Sequence, residues 1–188
     1  FDILVVDPDH ATAPRLPTTQ VYAYASVTEV HPTRAYYDQI PAQWKLARNA
    51  DWQSDVIDQS IAQWPDFFAD KVIAPLWQQG YRGFFLDTLD SYRLAQHFDE
   101  QAQQQGLVRV IETLHTRFPG IQLIFNRGFE LIPQLPGKVQ MVAAESRCRA
   151  WHARPGRHED VPPGGRASRP TQLRTLLPRD PLPRSVID

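Results

Sequence analysis

Continuous apolar runs of strand length punctuate the chain at 1–7, 21–27, 83–87, 121–125 and 139–144, and each gives way to polar residues at its end. Runs without polar alternation mark parallel strands buried on both faces. Segments of helical spacing lie between them. A short helix is predicted over 52–63, and a second from Asp66 through Val72, Ile73, Leu76 and Trp77, stopped by Gly80. A third runs from Tyr92 to Phe118, with Leu94, Phe98, Leu107, Val110, Ile111, Leu114 and Phe118 inward and Gly106 dividing it in two. A short helical turn is expected near Leu131, and a sixth strand at 185–188.

Residues 33–51 form a polar excursion carrying Tyr36, Tyr37 and Trp44, with Trp52 just beyond. Long loops of this kind are often functional, and exposed aromatics suit the apolar face of a sugar; two of the four are expected to pack against the fold instead.

Alternating strand and helix predict an α/β fold with a parallel sheet covered by helices. No Gly-rich phosphate loop follows any strand, as a dinucleotide-binding sheet would require, whereas polar ends on five strands converge on one face of a (β/α)8 TIM-type barrel. Such a barrel is the expected fold, incomplete at both ends, with one strand before Phe1 and one after Asp188.

The stretch richest in chemistry is Gly83-Phe84-Phe85-Leu86-Asp87-Thr88-Leu89-Asp90-Ser91-Tyr92. Asp87 closes the strand, and Asp90-Ser91 is expected to cap the helix that follows. The other strand ends supply Asp7, Tyr24 with Ser26, Asn126 with Arg127, and Glu145. Two carboxylates on different strands, with no His, Cys or Lys as nucleophile partner, fit hydrolysis of a glycosidic bond better than acyl transfer or aldol chemistry. One must act ionised and the other protonated, which a pair held in unlike environments provides. His10, His31, His97, His115, His152 and His158 lack tight metal-ligand spacing, with His97 and His115 on the polar face of the helical pattern. The competing use of the acids is an oxygen-only Mg²⁺ site from Asp87 and Asp90. No metal and no cofactor is expected.

Charge changes the picture in one place. Residues 1–145 hold 11 Lys+Arg against 17 Asp+Glu, a net −6, while 146–188 hold 9 Arg and 4 acids, a net +5, with 7 of the 17 prolines. The second part has neither Phe nor Tyr and is expected to be loop-rich or disordered. The overall formal charge of −1 gives no electrostatic footprint for nucleic acid, and no apolar run reaches membrane-spanning length. A single cysteine, Cys148, leaves no intrachain disulfide.

Tyr24-Ala25-Ser26-Val27, the ten residues 83–92, Asn126-Arg127-Gly128 and Ala143-Ala144-Glu145-Ser146 together resemble the endo-α-1,4-polygalactosaminidase group of glycoside hydrolases, over about 1–146. The resemblance implies a (β/α)8 barrel that cleaves internal α-1,4 bonds of partly deacetylated N-acetylgalactosamine polymers in or beyond the bacterial periplasm. It implies that Asp87 is the nucleophile of a retaining mechanism and Glu145 the acid/base, with carboxyls about 5–5.5 Å apart rather than the roughly 6.5–9.5 Å of inverting enzymes. Asp7, Tyr24, Asp90, Tyr92 and Asn126 are assigned to the sugar-binding shell, where Asp7 and Asp90 suit a cationic galactosamine amine. The partner implied is an aminosugar polysaccharide, with further domains such as a deacetylase in the full-length protein.

From 147 to 188 the chain departs from that pattern: Arg, Pro and Gly oppose the expected helix, leaving only 171–177 as a helical candidate. Short islands of fit remain at Val161-Pro162, at Gln172-Leu173-Arg174-Thr175 and at Val186-Ile187-Asp188. They suit compensated reading-frame shifts or ordinary divergence equally. A non-catalytic polysaccharide-binding barrel is the alternative function that this departure raises.

Overall fold

The computed structural model describes residues 2–9 and 18–144, and the backbone of Leu173–Thr175. The expectations for Glu145, for Cys148 and for a strand at 185–188 lie outside the described residues.

The parallel sheet is built from β1 (Ile3–Val6), β2 (Gln20–Ser26), β6 (Gly83–Asp87), β7 (Gln122–Asn126), β8 (Met141–Ala143) and β9 (Leu173–Thr175). Its order is β8-β7-β6-β2-β1-β9, with every neighbouring pair parallel. The sheet curls as part of an incomplete (β/α)8 barrel. Both faces are apolar, as the unbroken runs predict. On one face Ile3, Val5, Tyr22, Phe85 and Ile124 form a cluster. The other face packs Ala23, Phe84, Leu86, Leu123 and Phe125 into the main core with Trp64, Phe68, Leu107, Ile111 and Leu114. Successive side chains point to opposite faces, so Asp87 and Asn126 continue the first set, two residues beyond Phe85 and Ile124.

On its other side β1 pairs with β9, in register Ile3↔Leu173, Leu4↔Arg174 and Val5↔Thr175. Within the helical candidate at 171–177, Leu173–Thr175 is a strand and not helix, because an open strand edge offers a row of backbone donors and acceptors that outweighs a weak local propensity.

The helix predicted over 52–63 is also corrected. β3 (Glu29–Val30), β4 (Lys45–Asn49) and β5 (Ser54–Ile57) make a small antiparallel sheet in the order β3-β5-β4, inserted between β2 and the next helix. Three of the four aromatics pack inward: Tyr36 and Trp44 meet Phe67 edge-on, and Tyr37 donates to Asp55 at 2.5 Å. Trp52 alone of the four is exposed, at 67%.

The predicted second helix is present as α1 (Trp64–Phe68), a π-helical turn at Ala69–Ile73 and α2 (Ala74–Gln78), running on end to end. Pro75, which has no N–H to donate, lies two residues past the end of the widened turn. The third is shorter than predicted. Residues Ser91–Leu94 make a 3-10 turn, the chain then extends, and α3 spans Glu100–Arg117 behind an Asp99 side chain that accepts from Ala102 N at 3.0 Å. His97 thus precedes the helix, and Gly106 lies inside it without breaking it.

Gly106 is there because α3 docks closely. Gln103 Oε1 accepts from Gln59 N at 2.9 Å, and a Cβ at 106 would stand 1.8 Å from the Gln59 carbonyl oxygen. Gly106→Ala gains about 1 kcal/mol of helix propensity. Overpacking against backbone that cannot swing aside costs about 3 kcal/mol. A net loss of about 2 kcal/mol is expected in urea unfolding; a stabilised variant would show that α3 does not sit this close.

Candidate active site

The site is assembled at the C-terminal ends of β2, β6 and β7. Parallel pairing sets Ser26 opposite Asp87 and brings the β7 end alongside. The Asp87 carboxyl is held on both oxygens: Asn126 Nδ2 donates to Oδ1 at 2.8 Å, and the Tyr24 hydroxyl donates to Oδ2 at 2.9 Å. Two donors leave the carboxyl little rotational freedom, which is what a group that must meet a carbon atom in line requires. Tyr24 lies near-parallel to Phe85, with ring centroids 6.4 Å apart. Burial, then the neighbouring Asp87 charge and hydrogen bond, push the Tyr24 phenol well above its ordinary pKa, against a smaller lowering by Arg34. It therefore remains a donor through the whole working pH range.

Both strands leave the site through left-handed residues. Thr88 has φ +65° and Arg127 φ +65°, values that cost a non-glycine residue free energy unless its surroundings hold it there. Thr88 is held by Ser26, whose Oγ lies 2.9 Å from Thr88 Oγ1, by Thr28 N donating to that Oγ1 at 3.1 Å, and by the Thr28 hydroxyl donating to its carbonyl. Beyond Arg127 comes Gly128 at φ +66°, where a Cβ would stand 2.7 Å from Leu89. Arg127 Nη1 pairs with Asp90 at 3.0 Å, tying the β6 and β7 loops together.

Of the residues predicted from sequence, Asp87, Tyr24 and Asn126 are brought into direct contact. Asp7 follows β1 with the parity of Ile3 and Val5, and its carboxylate accepts from Asp9 N at 3.1 Å. Asp90 makes no side-chain cap to the following turn; its carboxylate is engaged by Arg127 instead. Tyr92 does not join the site. It is fully buried in the core between sheet and helices, edge-on to Phe98, with its hydroxyl 3.5 Å from Glu100. The positional reason is the 3-10 turn, which carries the chain away from the strand end directly after Ser91. Thr28 was missed as a support of the site, and its signal in the sequence is no more than a hydroxyl two residues beyond Ser26. Among the described residues no three His, Cys, Asp or Glu side chains converge as metal ligands.

Phenylalanine at Tyr24 deletes one hydrogen bond to a carboxylate, an interaction worth about 1.5–3 kcal/mol. Tyr24→Phe is expected to lower kcat by about ten- to a hundredfold. KM should change little. The alkaline limb of the pH profile should stay where it is in the wild type, since the phenol does not titrate there. A displaced alkaline limb would show that Tyr24 loses its proton during turnover.

A carboxylate gripped from two neighbouring strands, at the end of a parallel barrel strand, is the working geometry of a barrel hydrolase. The chain belongs to glycoside-hydrolase family GH114, whose model matches residues 1–159. Among solved structures it is similar to the glycoside hydrolase domain of PelA from Pseudomonas aeruginosa, 35% identical, covering 76% of this chain and 58% of that one with a TM-score of 0.64. Ega3 from Aspergillus fumigatus, solved with galactosamine, shares 15% identity over 75% of this chain and 58% of its own, with a TM-score of 0.63, a likeness of fold. This chain thus spans 58% of the length of each of these solved structures. No curated protein matches it.

Proposed function

We propose that this protein is an endo-acting hydrolase of α-1,4-linked galactosamine and N-acetylgalactosamine polymers, working with retention through Asp87 and Glu145. The observation that carries the reading is the two-sided grip on Asp87 by Tyr24 and Asn126, at distances of 2.9 and 2.8 Å. In the first step an Asp87 oxygen attacks the anomeric carbon as the glycosidic C–O bond breaks, and Glu145 gives its proton to the departing oxygen. In the second, Glu145 takes a proton from water, the water oxygen bonds to the same carbon, and the Asp87 ester bond breaks. Met141 and Ala143 of β8 pack against the Asp87-side cluster of the sheet. Asp7 and the aminosugar's cation are of opposite charge, and Asp7 follows β1, which is separated from the Asp87 strand by β2 alone.

The substrate class is supported by the family and by likeness to the PelA domain, as is action outside the cytoplasm. Among the described residues no helix is long and apolar enough to cross a membrane. The test is release of reducing ends from partly deacetylated polygalactosamine. New ends appearing together with a steep fall in polymer length support endo-hydrolysis. Binding of the polymer without release of ends would overturn it in favour of a non-catalytic polysaccharide-binding barrel.

A further inference from the structure

Glu29 is a buried carboxyl that the chemistry above does not use. It is 7% exposed and is held by donors from separate parts of the chain: Asn49 Nδ2 at 3.1 and 3.2 Å from its two oxygens, the Ser54 hydroxyl on Oε2, and the Ser91 hydroxyl on Oε1. Every one of these donors is neutral. A buried carboxyl is costly to desolvate, and apolar packing of similar volume commonly serves stability as well, so stability alone does not account for it.

Its partners account for it better. Ser91 closes the turn after Asp87, with its N–H donating to the Thr88 carbonyl at 3.1 Å. The Glu29 backbone carbonyl accepts from Ser26 Oγ at 2.8 Å, and that same Oγ touches Thr88 Oγ1. Glu29 therefore holds the Asp87-Thr88 turn through its side chain and through its main chain at once. Its other contacts, Asn49 and Ser54, stand on β4 and β5, so the antiparallel insertion serves as the anchor. The turn that it braces is the one containing the left-handed Thr88.

We propose that Glu29 is a positioning residue that transmits the rigidity of the β3-β5-β4 sheet to Asp87 through Ser91. This rests on the hydrolase reading. Ser54 and Ser91 each give one hydroxyl to the same carboxyl, but only Ser91 belongs to the Asp87 turn, and the pair of variants separates positioning from mere stability. Ser91→Ala is expected to lower kcat on the polymer about tenfold with KM unchanged, because a loosened nucleophile loses transition-state contact rather than binding. Ser54→Ala leaves Glu29 anchored by Asn49 on both oxygens, and is expected to lower kcat by less than about twofold while lowering the thermal midpoint as much as Ser91→Ala does. Glu29→Ala, which removes the acceptor for Ser91, should lower kcat at least as much as Ser91→Ala, and adding Ser91→Ala to it should cost nothing more, since the two act as one unit. An active wild type with Ser91→Ala and Ser54→Ala equal in kcat would overturn the positioning role alone. A wild type that releases no reducing ends would overturn the hydrolase reading and this inference with it.

Discussion

Asp87→Asn is expected to lower kcat on polygalactosamine by about 10⁴-fold or more, the scale reached when a covalent nucleophile is removed. The thermal midpoint should stay near that of the wild type. Asparagine has almost the same shape, and its amide can be accommodated by turning its oxygen to Asn126 Nδ2, which can only donate. Its Nδ2 then faces the Tyr24 oxygen, whose hydroxyl can rotate to accept. The local hydrogen bonding survives, but the amide oxygen is too weak a nucleophile to form the glycosyl ester. A variant that keeps a tenth of wild-type activity would remove Asp87 from the nucleophile's role.

Glu145→Gln should have the second largest effect. An amide can neither give a proton to the leaving oxygen nor take one from water, and loss of general acid/base catalysis costs about 10²–10⁴-fold. The effect should depend on the leaving group. With an aryl galactosaminide whose phenolate needs no proton, the first step survives, and a burst of phenol followed by a slow second step is expected. Unimpaired hydrolysis of the polymer by Glu145→Gln would show that the proton comes from another group.

The parts of this molecule that could be read from its sequence are those where local pattern and tertiary burden agree. Phe84, Phe85 and Leu86 are buried on both faces of a parallel strand, so the run carries no competing periodicity, and Asp87 falls at its end for the same reason. The small antiparallel sheet was hidden because Trp52, Val56, Ile57 and Ile61 repeat at helical spacing, whereas the strand Ser54–Ile57 is stabilised by pairing on both edges. Tyr92 illustrates the same limit at the site. Its nearness to Asp87 in sequence suggested a sugar contact, but the chain turns at Ser91 and buries it. Asp90 looked like a helix cap because its partner, Arg127, is distant in sequence. Left-handed Thr88 could not be anticipated, since nothing in a threonine signals positive φ; the Ser26 hydroxyl at the end of β2 and the Thr28 backbone N–H just beyond it make it tolerable.

The central claim is that Asp87 forms and releases a glycosyl ester, which inverts the anomeric centre twice. Proton NMR of the hydrolysis in its first minutes, before mutarotation, reads that outcome directly. The α anomer should appear first at the new reducing end. First appearance of the β anomer would mean a single displacement by water, and would contradict the nucleophilic role of Asp87.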